Sequence, residues 1–376
     1  MAGNTTAVPG PQSFLANGLL EVDGISKQFA STKAVQDLRF TVDEGRFIAI
    51  MGPSGCGKTT TLRLLAGLEV PDSGELRYRG ERMNEWPAWE RPFPLVWQNL
   101  ALFPFLSVAE NVEYGLRARG VRGRDRRVRV DDWLGRMEIG DLRNRFIHEL
   151  SGGQMQRVAL ARSLVLQPEM LLLDEPLSAL DAHLRIRMQD VLLELQRDLG
   201  ITFCYVTHSQ SEAFAMADRI VIMNAGGIEQ DGAPADIYDR PETPFVARFI
   251  GAHNLIDGII SSHSNAVVNI KTDLGVFTTR ASGKKPLRPG DRATLAVRID
   301  GNRLSRGNGG SGKTNGLVGR IISEEFNGSL TVYNIATATG GVFRAQERRD
   351  QGKSGWEHNQ EVWIEWDEAN SFALAY

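Results

Sequence analysis

The chain has few cysteines and no long apolar run. Its two cysteines, Cys56 and Cys204, are too few for a disulfide framework, and Cys56 lies inside a glycine-rich loop, so we expect a reducing, cytosolic compartment. No apolar run reaches the roughly eighteen residues of a membrane-spanning helix. Residues Met1–Asn17 have neither the basic segment nor the apolar core of a signal peptide. We therefore expect no membrane span, no secretion signal, and a flexible tail over residues 1–18.

A strong charge of one sign is also missing. The 43 lysines and arginines and the 46 aspartates and glutamates leave a net charge of -3, which gives no overall bias toward nucleic acid. At roughly 100–200 residues per domain, the length of 376 residues allows two or three domains. The hydrophobic share of 42% is ample for packed cores.

A phosphate-binding loop is present at residues 52–59, where Gly-Pro-Ser-Gly-Cys-Gly-Lys-Thr matches the pattern G-x-x-x-x-G-K-[ST]. Its context predicts a strand over the apolar run Phe47–Met51 and a helix over Thr60–Ala66. Glycines in such a loop let backbone N–H groups converge on phosphate oxygens at the positive end of a helix. Lys58 is expected to reach the β- and γ-phosphates, and Thr59 to offer a hydroxyl to Mg²⁺.

A second match to this pattern, residues 307–314, stands in a different context. It lies in a run rich in Gly, Asn, Ser and Arg. Asn315 and Gly316 follow at once, so no helix can start there to receive a phosphate. We interpret this segment as a flexible surface loop.

Two adjacent carboxylates follow another apolar run, Met170–Leu173. The run predicts a buried strand, and Asp174 at its carboxyl end stands where a Mg²⁺-directed ligand is needed. Glu175 is placed to orient or deprotonate a water that attacks the γ-phosphate in line. Acids at a strand end are often only solvated, but the phosphate loop upstream favours the catalytic role.

A further anion-directed feature is the segment 150–154, Leu-Ser-Gly-Gly-Gln. The apolar residues that follow recur at helical spacing as far as Leu166, which predicts that Ser151 caps a helix. Alone, the segment would be an ordinary serine-glycine cap. Because the phosphate loop already offers one helix N-terminus to a nucleotide, a second one suggests that two chains share each nucleotide.

With these residues in view, the chain resembles the ATPase subunits of ABC transporters from about Leu19 to its C-terminus. Seven motifs occur in family order: the aromatic Phe29, the Walker A loop Gly52–Thr59, the Q-loop Gln98, the signature Leu150–Gln154, the Walker B strand Leu171–Glu175, the D-loop Ser178–Asp181 and the switch His208. Taken singly, Phe29, Gln98 and His208 would be ordinary core or surface residues. Their place in the ordered set assigns them a role.

The resemblance implies an α/β P-loop NTPase fold and gives each motif a function. Phe29 would stack on adenine, Gln98 would sense Mg²⁺ and the membrane partner, and His208 would contact the γ-phosphate. The implied catalytic residues are Lys58, Glu175 and His208, and the implied Mg²⁺ ligands are Thr59, Gln98 and Asp174. The implied nucleotide contacts are Phe29, Gly52, Pro53, Ser54, Gly55, Cys56, Gly57, Lys58, Thr59, Thr60 and Gln98. The resemblance also implies that a second copy of the chain contributes the signature residues Ser151, Gly152, Gly153 and Gln154 to the nucleotide site. It places Asp181 in the D-loop.

Two segments with helical spacing, Val108–Arg119 and Asp131–Ile139, fit a helical subdomain that the resemblance implies at about residues 99–168. Between them lie five arginines, namely Arg122, Arg124, Arg126, Arg127 and Arg129. This run is either a solvated face, the commoner case, or a contact with anionic lipid near a membrane.

After Pro241 the sequence predicts small β-barrel domains with almost no helix. Short apolar or alternating runs are separated by Gly, Asn and Lys-Pro turns, at 266–270, 293–299, 317–322, 330–336 and 361–366. The region resembles the all-β, OB-like TOBE extension of importer ATPases, most clearly at Arg288–Asp291. We therefore divide the chain into a tail (1–18), an ABC ATPase domain (19–250) and a TOBE-like domain (251–376).

The resemblance implies an importer ATPase that uses ATP and Mg²⁺, dimerises head to tail around two ATP molecules and drives separate transmembrane permease subunits. It would lie peripherally at the cytoplasmic face of the inner membrane, act indirectly with an extracytoplasmic substrate-binding protein and bind no nucleic acid. Candidate substrates are polyamines, ferric iron and sugars, with polyamines slightly ahead. The alternative is a soluble ABC ATPase in DNA maintenance or translation, a class that usually carries paired nucleotide domains or a long coiled coil.

Overall fold

The computed structural model describes residues 18–264, 267–283, 285–307, 315–348 and 355–375. Residues 308–314 of the second loop match and residues 1–17 of the expected tail lie outside this part of the chain. Two compact units divide between Ile228 and Glu229.

The first unit is an α/β structure. Its strands are β1 Gly18–Phe29, β2 Thr32–Asp43, β3 Phe47–Met51, β4 Ser73–Tyr78, β5 Glu81–Arg82, β6 Leu95–Val96, β7 Met170–Asp174, β8 Thr202–Val206, β9 Arg219–Asn224 and β10 Gly227–Gly232, in which the division falls. Its helices are α1 Lys58–Ala66, α2 Val108–Ala118, α3 Gly123–Arg136, α4 Gly152–Leu164, α5 Ala182–Leu199 and α6 Gln210–Met216. The predicted strand, glycine loop and helix around residues 52–59 are present.

The central sheet is buried on both faces. Its strand order is β10-β9-β3-β8-β7-β6, and the pairs among β9, β3, β8, β7 and β6 are parallel. Along β7, Leu171 and Leu173 pack into one hydrophobic core, whereas Met170 and Leu172 pack into another. Successive side chains of a strand point to opposite faces. The continuous apolar runs in the sequence follow from this two-sided burial.

The central sheet separates a core formed with four helices from a core formed with α1 and a smaller sheet. The core around Leu171 includes residues of α2, α3, α4 and α5. The core around Leu172 includes residues of α1 and of a four-stranded antiparallel sheet with the order β2-β1-β4-β5. The central sheet therefore forms the middle layer of the unit, as expected for a doubly covered α/β fold.

The strand order brings distant parts of the chain to one edge of the sheet. The loop Gly52–Gly57 follows β3, His208 comes shortly after β8, Asp174 ends β7, and Gln98 comes shortly after β6. Since β3, β8, β7 and β6 are consecutive parallel neighbours, these carboxyl ends stand in a row. Ligands of open α/β sheets bind at this edge.

Helices α2, α3 and α4 occupy the region expected to be a helical subdomain. Helix α3 begins at Gly123, so Arg122 is its N-cap residue and the other four arginines of the run lie within it, not between two helices as the sequence indicated. The long, unbranched arginine side chain is a good helix former, which explains this earlier start. Arg126 is partly buried and its Nε lies 3.0 Å from Oε2 of Glu113, while Arg124, Arg127 and Arg129 are exposed.

The second unit is rich in β-structure. Two short helices, α7 Pro234–Asp239 and α8 Pro244–Ile250, come before the strands. The strands are β11 His253–Ser264, β12 Val267–Thr272, β13 Gly275–Ser282, β14 Arg292–Arg298, β15 Asn302–Ser305, β16 Asn315–Asn327, β17 Leu330–Thr337, β18 Val342–Arg348, β19 Glu361–Trp366 and β20 Ser371–Ala375. They form a closed barrel, β11-β12-β13-β20-β14, and a five-stranded sheet, β15-β19-β16-β17-β18. This confirms the predicted β-rich texture and a barrel, whereas β15–β19 form a five-stranded sheet and α8 is a helix that follows Pro241.

One buried histidine stands out in the second unit. His253 opens β11, is 5% exposed, and neither ring nitrogen has a hydrogen-bond partner among the described residues. Burial, with a smaller contribution from the Arg298 cation, lowers its pKa to about 4. In neither unit does a described helix combine the length and apolarity needed to cross a bilayer.

Candidate active site

The phosphate loop depends on two glycines with positive φ. Gly52 has φ 155° and Gly57 has φ 106°, values that only glycine adopts without strain. A side chain at Gly57 would also collide with the carbonyl oxygen of Ala34, and one at Gly52 with that of Met223. The neighbouring backbone therefore closes off the underside of the loop. The crest, residues 53–55, is exposed, and no atom would lie within 4 Å of a Cβ at Gly55.

Lys58 places a buried cation at this loop. Its side-chain Nζ donates to the carbonyl oxygens of Gly52 at 2.8 Å and Pro53 at 3.0 Å, and the Sγ of Cys56 lies 4.0 Å away. The residue is 7% exposed. None of these acceptors carries a full charge. A buried ammonium held only by neutral acceptors attracts an anion strongly, because little solvent screens it.

The other end of α1 is fixed by a residue that we did not predict, Arg91. Its guanidinium is buried and donates to the carbonyl oxygens of Leu64 at 2.7 Å and Leu65 at 2.9 Å. Further bonds reach the carbonyls of Met83 and Asn84. Burial lowers the pKa of Arg91 to about 10. A cation at the C-terminus of a helix stabilises it, so Arg91 holds the helix whose N-terminus carries the loop.

Thr59 and Asp174, the two residues expected to face Mg²⁺, lie within hydrogen-bond distance of each other. The Oγ1 of Thr59 donates to Oδ1 of Asp174 at 3.2 Å. Asp174 is 6% exposed, and burial raises the pKa of its carboxyl, with the neighbouring Glu175 charge adding to the effect. A hydroxyl and one carboxylate, both hard oxygen donors, are the set that Mg²⁺ takes beside substrate phosphates. The described residues hold no cluster of three or more His, Cys, Asp or Glu that would form a metal cage.

The Glu175 carboxylate contacts two of the other expected site residues. Its Oε2 lies 3.1 Å from Nδ1 of His208 and 3.4 Å from Nε2 of Gln98. The backbone of Glu175 has φ 45°, which is strained for a residue with a side chain, and its N–H donates to Val206. Strain of this kind is commonest at functional sites. The carboxylate is thus held at the edge of the sheet between polar groups that follow the two neighbouring strands, β8 and β6.

A buried network beneath His208 was missed in the sequence. Glu212, on α6, is 3% exposed, and its Oε2 accepts from the hydroxyls of Tyr205 at 2.6 Å and Thr207 at 2.7 Å. Burial and the nearby Glu212 carboxylate raise the pKa of Tyr205, so that hydroxyl stays a donor. No motif signalled this set, because its members are common residue types whose contacts depend on the fold.

The signature segment caps its helix as predicted. Oγ of Ser151 accepts from the N–H of Gln154 at 3.4 Å, and Oε1 of Gln154 accepts from the N–H of Ser151 at 2.9 Å. This reciprocal pair is a capping box. Gly153 is buried, and a Cβ there would collide with Leu184 of α5. Asp181 caps α5 in turn, since its Oδ1 accepts from the N–H of Leu184 at 2.9 Å.

The expected residues therefore fall into two groups. Lys58, Thr59, Asp174, Glu175 and His208, with Gln98, stand along one sheet edge. In the described part of the chain, no hydrogen bond or ion pair links the signature or Asp181 side chains to that group. Phe29 ends β1 with a 42% exposed ring, and the Nζ of Lys27 lies 5.4 Å from its centroid.

Comparison with known proteins identifies this arrangement. A family model described as ABC transporter matches residues 35–178, and one described as TOBE domain matches residues 295–374. The chain is 41% identical over 368 residues to the spermidine/putrescine import ATP-binding protein of Frankia alni. The aligned region covers 94% of this chain and 79% of that protein. The chain belongs to the ABC transporter ATP-binding subunits. It is an ABC-type ATPase with a C-terminal TOBE domain.

Further relatives and solved structures agree with this assignment. The Fe(3+) ions import ATP-binding protein 1 of Rhizobium meliloti is 42% identical, over 88% of this chain and 91% of its own length. An ABC transporter component from Clostridium perfringens superposes with a TM-score of 0.56 at 28% identity, over 59% of this chain and 91% of that one. A dimeric ATP-binding cassette bound to ADP and phosphate superposes with a TM-score of 0.53 at 30% identity, over 57% of this chain and 98% of that one.

Proposed function

We propose that this ATPase is the energy-coupling subunit of an importer and that Glu175 is the centre of its hydrolytic site. The observation that carries the proposal is the convergence of His208 and Gln98 on Oε2 of Glu175, beside the Thr59–Asp174 pair. These groups come from separate strand ends, and their meeting at the ligand-binding edge of the sheet suits a single phosphate-transfer centre.

Each residue has a part in hydrolysis. Lys58 attracts the β- and γ-phosphates, and the glycine loop presents backbone N–H groups to them. Glu175 orients the attacking water and accepts its proton, while His208 holds the carboxylate on one side. Mg²⁺, held through Thr59 and Asp174 with Gln98 nearby, would supply positive charge against the charge that develops on the phosphate oxygens.

A second copy completes the site in this proposal. The N-terminus of α4 at Ser151 is exposed and carries a positive end of a helix dipole, and no charged partner from its own chain meets it among the described residues. Head-to-tail pairing would bring this end to the nucleotide held by Lys58 of the other copy. The solved relative that is dimeric with ADP and phosphate supports this arrangement.

The most specific part of the proposal is the identity of the transported solute. Relatives at about this identity are named for import of spermidine and putrescine or of Fe(3+) ions. We propose a small cationic solute, with polyamines ahead of ferric iron. The chain would work as a peripheral subunit on separate permease subunits at the cytoplasmic face of the membrane, with Gln98 near the contact. A role in DNA maintenance or translation is disfavoured by these relatives.

Replacing Glu175 by Gln tests the hydrolytic centre. The variant keeps the shape of the side chain but loses the base, so turnover should fall by about 10²-fold or more while ATP still binds. Size-exclusion chromatography with ATP should then reveal a stable dimer. Glu194→Gln, an exposed change on α5, serves as the matched control. Near-normal hydrolysis by Glu175→Gln would refute the assignment.

Transport itself needs a cellular assay. In a strain whose only copy carries Lys58→Ala, uptake of radiolabelled putrescine or spermidine should be lost, while uptake of iron and sugars is measured in parallel. Loss of iron or sugar uptake alone would correct the substrate. Unchanged uptake of all three classes would contradict the importer proposal.

A further inference from the structure

A charged pair links the loop of His208 to the segment that carries Asp181. Oε1 of Glu212 lies 3.6 Å from Nε of Arg185, and Nη2 of Arg185 donates to the carbonyl oxygen of Leu180 at 3.0 Å. Leu180 directly precedes Asp181, the residue that caps α5. Arg185 therefore donates a hydrogen bond to the D-loop with one nitrogen, while its Nε, which has no hydrogen-bond partner among the described residues, forms a longer ion pair with the carboxylate beneath His208.

The other side of Glu212 holds the two residues that flank His208. Oε2 accepts from the Thr207 hydroxyl at 2.7 Å, and that hydroxyl in turn accepts from the N–H of Ser209 at 2.9 Å. Oγ of Ser209 accepts from the N–H of Glu212 at 3.4 Å, which closes the loop. Thr207 is thus bonded to the carboxylate directly and Ser209 through the Thr207 hydroxyl, while the His208 side chain itself is 65% exposed.

Burial makes this arrangement costly unless it is complete. The Glu212 side chain is 5% exposed, and a buried carboxylate without its partners is strongly unfavourable. Apolar side chains of similar size would often fill such a place with no loss of stability. Stability alone therefore does not account for an acid and a base here, whereas a fixed connection between two loops does.

We propose that Glu212 and Arg185 are positioning residues that join the His208 loop to the Leu180–Asp181 segment, so that the two move as one body. The inference rests on the proposed function, because it takes Glu175 and His208 as the hydrolytic centre. The D-loop would then set the position of His208 beside Glu175. Neither Glu212 nor Arg185 touches the nucleotide in this scheme, so both affect turnover and not ATP affinity.

The test is a double-mutant cycle on hydrolysis. Glu212→Gln keeps the acceptor for Tyr205 and Thr207 but removes the charge, and Arg185→Met removes the cation from a side chain that is 34% exposed. We expect each change to lower kcat by about 10²-fold, as a small misplacement of catalytic groups does, with the Kd for ATP unchanged. The double variant should lose no more than either single one, because the two residues act as a unit. Arg185→Lys should recover part of kcat.

Controls separate positioning from folding. Arg187→Met, an exposed change two residues along α5, should behave as wild type. Circular dichroism and thermal melting identify a variant that has lost its fold. If Glu212→Gln is unfolded, the kcat values of the Arg185 variants test the inference. The inference is overturned by wild-type kcat in either single variant, by losses that multiply in the double variant, or by a kcat loss that only follows unfolding.

Failure of the positioning pair can be distinguished from failure of the proposed hydrolytic site. If Glu175→Gln hydrolyses ATP normally, the proposed function falls and the positioning pair with it. If Glu175→Gln is inactive while Glu212→Gln and Arg185→Met keep wild-type kcat, only the positioning pair is wrong.

Discussion

Oε2 of Glu175 lies 3.1 Å from Nδ1 of His208, although 33 residues separate the two along the chain. Their strands, β7 and β8, are parallel neighbours, so Glu175 and His208 leave the sheet at the same edge. The carboxylate is 21% exposed and the imidazole 65% exposed. The imidazole is thus the more exposed partner of a hydrogen bond to a mostly buried carboxylate.

Removing the imidazole should slow hydrolysis without weakening binding. We expect His208→Ala to lower kcat by about 10²-fold, since the Glu175 carboxylate loses the group that orients it, with little change in the Kd for ATP. Steady-state ATPase assays and equilibrium nucleotide binding measure the two quantities. His183→Ala, an exposed histidine on α5, is the control. An equal loss in the control would refute the specific role of His208.

The signature serine should act on hydrolysis and not on ATP binding. Ser151 and Ser107 both cap helices through the same capping box, so replacing either by Ala costs about 1 kcal/mol of stability. We expect Ser151→Ala alone to lower turnover, by about 10²-fold, because it removes a donor that the second copy needs. Loss of ATP binding in Ser151→Ala would mean that the shared site is wrong. Gly153 is a poorer target, because any side chain there meets Leu184.

The buried Asp174 carboxylate should lower the stability of the nucleotide-free protein although turnover requires it. Its folded pKa is raised by burial, so the folded protein holds that proton more tightly than the unfolded chain, and ionisation costs stability above the raised pKa. Asp174→Asn is therefore expected to stabilise the nucleotide-free protein at pH 7 and to abolish turnover. The gain should shrink as the pH falls toward the unfolded pKa of about 3.9. Urea denaturation at several pH values measures this, with the exposed Asp190→Asn as control; a destabilised Asp174→Asn would contradict the argument.

His253 should make the C-terminal unit sensitive to acid. Its pKa is about 4 when folded and about 6.5 when unfolded, so between these values the unfolded chain binds more protons and stability falls as the pH falls. Wild type should lose about 3 kcal/mol relative to His253→Phe between pH 7 and pH 4. Replacing the exposed His358 by Phe should leave the pH dependence of stability as in wild type. A pH-independent difference between wild type and His253→Phe would count against a buried, neutral imidazole.

Local features of this protein were determined by the sequence alone. The glycine loop needs eight consecutive residues at 52–59, and the capping box joins Ser151 and Gln154 three residues apart. Hydrogen bonds and backbone conformations of this range are written in adjacent residues, so a pattern of letters predicts them. The buried strands and the β-texture of the second unit follow in the same way from the periodicity of apolar residues.

Long-range relationships were decided by the tertiary structure. The order β3-β8-β7-β6 differs from the order along the chain, and only this order brings Gln98 and His208 to the same oxygen of Glu175. Arg91 and Glu212 gave no signal, because the fold brings each buried charge to its partners and those partners follow no local sequence pattern. The start of α3 was misplaced because arginines suit both an exposed helix and a solvated loop. Packing chooses among such alternatives, and packing exists only once the chain has folded.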